Sequence, residues 1–243
     1  MSSRKDGNLK VLNYKNLGGF TLAEVIITLG IIGVIAAMTI PSLIENVNNV
    51  KNTAILKQNI AILKQTFLRA NDAGAFASIA KGNDIAEMKY WFEDYFQAYL
   101  RPTQICYDED GCWGKNVKRA NGAIYASYGG SCGVKSVSFI LPNGSFVCYD
   151  DYSGGYKLDR TFGIYPENAY YMAVLIDVNG ANLPNIIGKD IFIFIYRSAT
   201  NELIPAGKDM TESEIEQNCR LSSTGYFCSA KAARQNFKLP VLK

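Results

Sequence analysis

The sequence predicts an α+β protein: one long N-terminal, membrane-spanning helix packed on an antiparallel β-sheet head that carries an extra helix. Three observations carry that expectation. An unbroken apolar run fills residues 20–40 and passes into an amphipathic pattern. Beyond residue 122 the apolar residues change to strand periodicity, in segments separated by short turns. All six cysteines lie downstream of the apolar run.

Residues 1–19 are polar and basic and end in Gly18-Gly19. Arg4, Lys5, Lys10 and Lys15 stand against Asp6 alone, so this stretch holds the whole net charge of +3 of the 243-residue chain. Positive charge ahead of an apolar span favours retention of that end in the cytoplasm. The rest of the chain is neutral, which leaves no electrostatic footprint for nucleic acid.

Phe20–Ile40 as a helix is about 31 Å long, enough to cross a bilayer. A secretory signal peptide and a simple signal anchor are the plain alternatives. A signal peptide has a shorter apolar core with a small-residue cleavage site at its far end; here the run continues into Ile40-Pro41-Ser42-Leu43-Ile44-Glu45. Glu24 speaks against both alternatives. A carboxylate in such a segment costs about 2.5–3.5 kcal/mol at the helix centre, less near the interface, and usually marks a function.

Pro41 is tolerated in a membrane helix with a kink. After it, Thr53, Leu56, Ile60, Leu63, Phe67 and Ala70 recur every three or four residues, an amphipathic continuation of the same helix through residue 73. Asp84–Leu100 reads as a second helix, with Ile85, Met88, Phe92, Tyr95 and Tyr99 as its apolar stripe. Core packing explains that aromatic stripe better than a binding platform.

Val137–Leu141 and Ser145–Tyr149 flank Pro142-Asn143-Gly144, a hairpin signal. Tyr170–Val178 and Asp190–Ser198 read as two more strands. The run Ile191–Tyr196 is apolar on both faces, which places it centrally, covered by a helix on at least one side. The tail around Cys219 and Cys228 reads as polar loop. The expected organisation is therefore residues 1–19 as a removable leader, 20–40 as the transmembrane segment, 41–73 as its continuation and 74–243 as the head.

No histidine is present, which excludes Ser-His-Asp and Cys-His nucleophiles and His-containing zinc sites. No catalytic constellation is visible, and the expectation is a protein that is not an enzyme. Cys106, Cys112, Cys132, Cys148, Cys219 and Cys228 read as a disulfide set formed in an oxidising compartment. A zinc or iron–sulfur site is the alternative, but C-x-x-C is absent and the spacings match no cluster pattern. Pairing of sequence neighbours closes short loops and is the expected connectivity, with the others left open.

Gly19-Phe20-Thr21-Leu22-Ala23-Glu24-Val25, followed by an apolar run and Pro41, resembles the processing and methylation segment of type IV prepilins and type II secretion pseudopilins. The match covers residues 18–44; beyond that it is one of architecture, a long N-terminal helix carrying an antiparallel sheet. The leader departs from the usual pattern in its Asn16-Leu17 before the glycines and in its length. The resemblance implies cleavage by a prepilin peptidase after Gly19 and a new, methylated N-terminus at Phe20. It implies pairing of Glu24 with a neighbouring subunit's amine, with Gly30, Gly33 and Pro41 weakening the helix where subunits pack. It also implies an inner-membrane precursor with its head outside the cytoplasm, and partners among pilin subunits and the filament assembly machinery. Cys219 and Cys228 resemble the disulfide loop closing many pilin heads. A membrane-tethered binding module that never polymerises is the competing function.

Asp177 and Asn179, with Asn182, Asn185 and Asp190 downstream, offer oxygen ligands in the connection between two strands, where some pseudopilins hold calcium. The stretch does not follow the EF-hand pattern. A turn rich in Asn and Gly is the favoured reading, so no cofactor is expected, with calcium the one candidate.

Overall fold

The computed structural model describes residues 19–76, 84–125, 132–133, 136–151 and 157–242. The chain forms two compact units, Met1–Val47 and Asn48–Lys243.

Helix α1 (Leu22–Asp72, 51 residues) begins in the first unit. Nearly all its side chains there are exposed, including Ile26, Leu29, Ile32, Ile35 and Ile40. It contains Pro41, near which the Thr39 and Ser42 hydroxyls donate back to the carbonyls of Ile35 and Thr39, both at 2.9 Å.

In the second unit, the C-terminal half of α1 buries Leu56, Asn59, Ile60, Leu63, Thr66, Phe67 and Ala70. This is the expected stripe from Leu56 onward with two polar additions, while Thr53 at its start is only half-buried. Asn59 donates to Ser145 Oγ at 2.8 Å and accepts from Asn143 Nδ2 at 2.8 Å, so its polarity is met by the turn of a distant hairpin. The helix stops at Asp72, and Gly74 follows with φ +85°, the left-handed conformation that glycine adopts at least cost.

The sheet is antiparallel, six-stranded and ordered as in the chain: β1 (Gln104–Tyr107), β2 (Val137–Ile140), β3 (Phe146–Asp151), β4 (Tyr171–Asp177), β5 (Ile191–Arg197) and β6 (Glu202–Pro205). Four match predicted strands to within one or two residues at each end. The short edge strands β1 and β6 are additions, and β6 places the apolar run of β5 one strand in from the edge. Successive residues face opposite sides. Tyr149, Met172, Val174, Phe194 and Tyr196 join the core beneath α1, while Cys148, Leu175, Ile193 and Ile195 face a second core with Trp113, Phe162, Ile187 and Tyr226.

The second helix is not one regular stripe. It runs as α2 (Ile85–Phe92), a π-helical turn (Glu93–Gln97) and α3 (Ala98–Leu100). The wider turn shifts the inward face by about one residue. Phe96 and Leu100 are buried as a result, whereas Tyr99 stays 45% exposed. Among the described residues, three short helices complete the head: α4 (Leu158–Phe162), α5 (Glu212–Asn218) and α6 (Cys228–Arg234). The tail is therefore helical where a polar loop was expected. Thr211 and Glu214 form a reciprocal capping box at α5, and α6 buries Ala230 and Ala232.

Candidate functional site

The motif residues sit at the start of α1. Thr21 Oγ1 accepts from Glu24 N at 3.2 Å, and Glu24 Oε2 accepts from both Thr21 N and Thr21 Oγ1 at 2.8 Å. Thr-x-x-Glu is thus a capping box, readable in the sequence as a helix start. It fixes where α1 begins and holds the Glu24 carboxylate within the first turn, where a negative charge meets the positive end of the helix dipole.

Phe20 is 88% exposed and precedes the cap. Among the described residues, a side chain built at Gly19, Gly30 or Gly33 would meet nothing within 4 Å, so no described contact demands glycine there. Among the described residues, α1 is long and apolar enough to cross a membrane. Leu22, Ile31, Met38, Leu43 and Val50 are among its exposed apolar side chains. Such an apolar helix is compatible with a membrane anchor.

All six cysteines are paired as sequence neighbours: Cys106–Cys112, Cys132–Cys148 and Cys219–Cys228. The first clips the loop after β1, the second ties residue 132 to β3, and the third joins the end of α5 to the start of α6. Bonds of this kind form and persist in oxidising surroundings.

The β4–β5 connection brings Asp177, Asn179 and Asp190 together. Asp177 Oδ1 accepts from the backbone of Asn179 at 3.2 Å and of Gly180 at 3.0 Å. Asn179 Nδ2 donates to Asp190 Oδ2 at 3.1 Å, and Asp190 Oδ1 accepts from Ile186 N at 2.5 Å. Asp177 is fully buried and Asp190 nearly so. Burial, and then the neighbouring Asp190 charge, push Asp177 up to about 8. Burial likewise pushes Asp190 up to about 6, against the pull of its hydrogen bonds and Lys189.

The turn itself is structural. A side chain on Gly180 (φ +59°) would strike the Gly144 carbonyl oxygen at 2.1 Å, so only glycine lets this loop lie on the β2–β3 turn. Yet Asp177 Oδ2, Asn179 Oδ1 and Asn185 Oδ1 are buried without a hydrogen-bond partner. Asn185 is one of the loop oxygens that the sequence already offered downstream of Asn179. No group of three or more Cys, Asp or Glu suited to a metal occurs among the described residues. The two carboxylates and the Asn179 amide oxygen are oxygen donors of the kind a hard divalent ion such as calcium prefers. They would supply negative charge to it and lose their mutual repulsion, with further ligands needed to complete a shell.

No protein-family model, curated protein or solved structure matches the chain.

Proposed function

We propose that this chain is a structural subunit of a type IV pilus-like filament or type II secretion pseudopilus, anchored in the membrane as a precursor and assembled through α1. A prepilin peptidase cleaves after Gly19, and Phe20 becomes a methylated N-terminus. The head lies outside the cytoplasm of a bacterial inner membrane before assembly, in the periplasm or at the cell surface afterwards. The protein performs no catalysis of its own.

The observation that carries this reading is the join at residues 19–24. A glycine against which no described residue packs is followed by an exposed Phe20 and then by a capped helix. That helix puts a single carboxylate, Glu24, ahead of about twenty uninterrupted uncharged positions. A peptidase needs the bond after Gly19 accessible and unencumbered. A helical assembly needs apolar surface that one molecule leaves uncovered.

Intact mass of the envelope protein, together with shearing of surface filaments, tests the proposal. The expected result is a chain starting at Phe20, 14 Da heavier for one methyl group (mass of CH₂, about 14), recovered in the sheared fraction. Persistence of residues 1–19 in cells with an active prepilin peptidase would overturn it.

A further inference from the structure

A cavity of about 320 Å³ opens between α1 and α6, above β5 and β6. Ile60, Phe194, Leu203 and Phe237 form its apolar floor. Its charged lining is cationic only: Lys64, Lys208 and Arg234. Arg234 is engaged by Glu212 and by the Met210 carbonyl. Lys64 and Lys208 are exposed and enter no ion pair among the described residues, although Lys208 lies close enough to act on the Glu202 carboxylate. The two lysines also line the adjoining groove along the free edge of β6. An apolar floor beneath two available ammonium groups fits an apolar side chain flanked by carboxylates.

The chain displays such a feature at the other end of its sheet. Glu87, Tyr90 and Asp94 are spaced three and four residues apart across α2 and the start of the π-helical turn, which puts them on one helical face. All three are exposed, and the Tyr90 ring is 67% exposed. Neighbouring Lys89 is held elsewhere, 3.9 Å from Glu93 and over the Tyr107 ring. Helix α2 packs on β2, whereas α6 packs on β5 and β6. Strands β3, β4 and β5 separate β2 from β6, so Tyr90 cannot reach the cavity of its own molecule.

We propose that the Glu87–Tyr90–Asp94 face of one head docks into the Lys64–Lys208 cavity of a second copy of this chain. The Tyr90 ring enters the cavity, and the two carboxylates meet the two lysines. A partly buried tyrosine is an effective interface anchor, while exposed ion pairs add orientation more than energy. Because the two patches differ and lie on opposite flanks, the contact is heterologous. Repeated, it propagates instead of closing into a dimer. This inference rests on the filament reading and specifies a lateral contact between heads within it.

The test uses the full-length chain in cells, with a photo-reactive benzoylphenylalanine at position 90. Irradiation should yield a two-chain adduct, its cross-link mapping to residues 60–68, 203–208 or 230–237. No adduct, or one mapping to another segment or another protein, overturns the contact. In parallel, Lys64→Glu with Lys208→Glu should lower sheared-filament yield on the order of tenfold, a 1.4 kcal/mol change in association. Adding Glu87→Lys with Asp94→Lys should restore it. Unchanged yield in the first variant, or no restoration in the second, overturns the contact, and restoration also shows that the variants fold. If the position-90 chain gives the adduct but neither it nor the unaltered chain gives sheared filament, the filament reading fails and the contact stands. If the position-90 chain gives filaments but no adduct, the reverse holds.

Discussion

The ring of Phe67 on α1 lies stacked on the ring of Tyr196 on β5, centroids 4.2 Å apart and planes 14° from parallel. Phe96 and Tyr149 each approach the same phenylalanine at 5.3 Å. One side chain therefore joins α1, the π-helical turn and two strands. Phe67→Ala should lower the unfolding free energy by about 3–5 kcal/mol through lost burial and the cavity left behind. Urea unfolding of the detergent-solubilised chain, followed by tryptophan fluorescence, reads the change. A shift below about 1 kcal/mol would show that the head does not depend on this seam.

Phe67 was legible because Leu56, Ile60, Leu63, Phe67 and Ala70 repeat at helical spacing, and burial is what that spacing serves. Asn59 was not, because its partners Asn143 and Ser145 lie more than eighty residues away in sequence. The four inner strands could be read from their own alternation and from Pro142-Asn143-Gly144. The edge strands β1 and β6 are four residues each and owe their extension to pairing with Ile140 or Arg197, a tertiary cause no local pattern records. In α5 only Ile215 is buried, so its apolar periodicity is nearly silent, although the Thr211–Glu214 cap was there to be read. At the N-terminus the motif pointed to Glu24, and its Thr21-x-x-Glu24 spacing also held the capping box that the helix geometry displays.

The Cys219–Cys228 bridge joins two short helices and spans nine positions of sequence. Gly188 lies against it: a side chain there would meet Cys228 Sγ at 2.6 Å. Replacing both cysteines by serine should cost about 2–3 kcal/mol in the chain-entropy model. Cys132–Cys148 spans sixteen positions and should cost about 3 kcal/mol. Non-reducing peptide mapping of the unaltered chain should recover Cys219 linked to Cys228. Recovery of either residue linked to one of the other four cysteines would refute this arrangement.

Asp177 and Asp190 give the head a pH dependence of definite sign. Their folded values, about 8 and about 6, lie above those of an unfolded carboxyl, near 3.9. The folded state therefore binds more protons between about pH 4 and pH 8, and stability falls as pH rises through that window. Asp177→Asn should flatten the upper part of the slope. Calcium, if these oxygens hold it, should restore stability at neutral pH in the unaltered chain and not in Asp177→Asn. Thermal melts from pH 4 to 8, with chelator or with millimolar calcium, separate the effects. A midpoint insensitive to pH and to calcium would remove both.

Glu24 has two roles to tell apart, since it caps its own helix through Thr21 and is proposed to pair with a neighbour's amine. Glu24→Ala removes both the cap and the charge. Glu24→Gln keeps an acceptor that suits a capping box while removing the negative charge. If charge pairing directs assembly, both variants should insert and be cleaved after Gly19, and both should lose most of their sheared filament. The amine of Phe20 would then enter an apolar interior without its counter-charge, which is costly wherever water is excluded. If the cap alone matters, Gln should assemble normally and Ala should lose about 1 kcal/mol of helix stability at its N-terminus. Immunoblots of membrane and sheared fractions for the two variants decide between them, and a normal filament yield from Glu24→Gln would refute the pairing. Cleavage provides the internal control. On the proposed reading the peptidase acts at Gly19 on the single subunit, before any neighbour is present, so an uncleaved variant would report failed insertion instead of failed pairing.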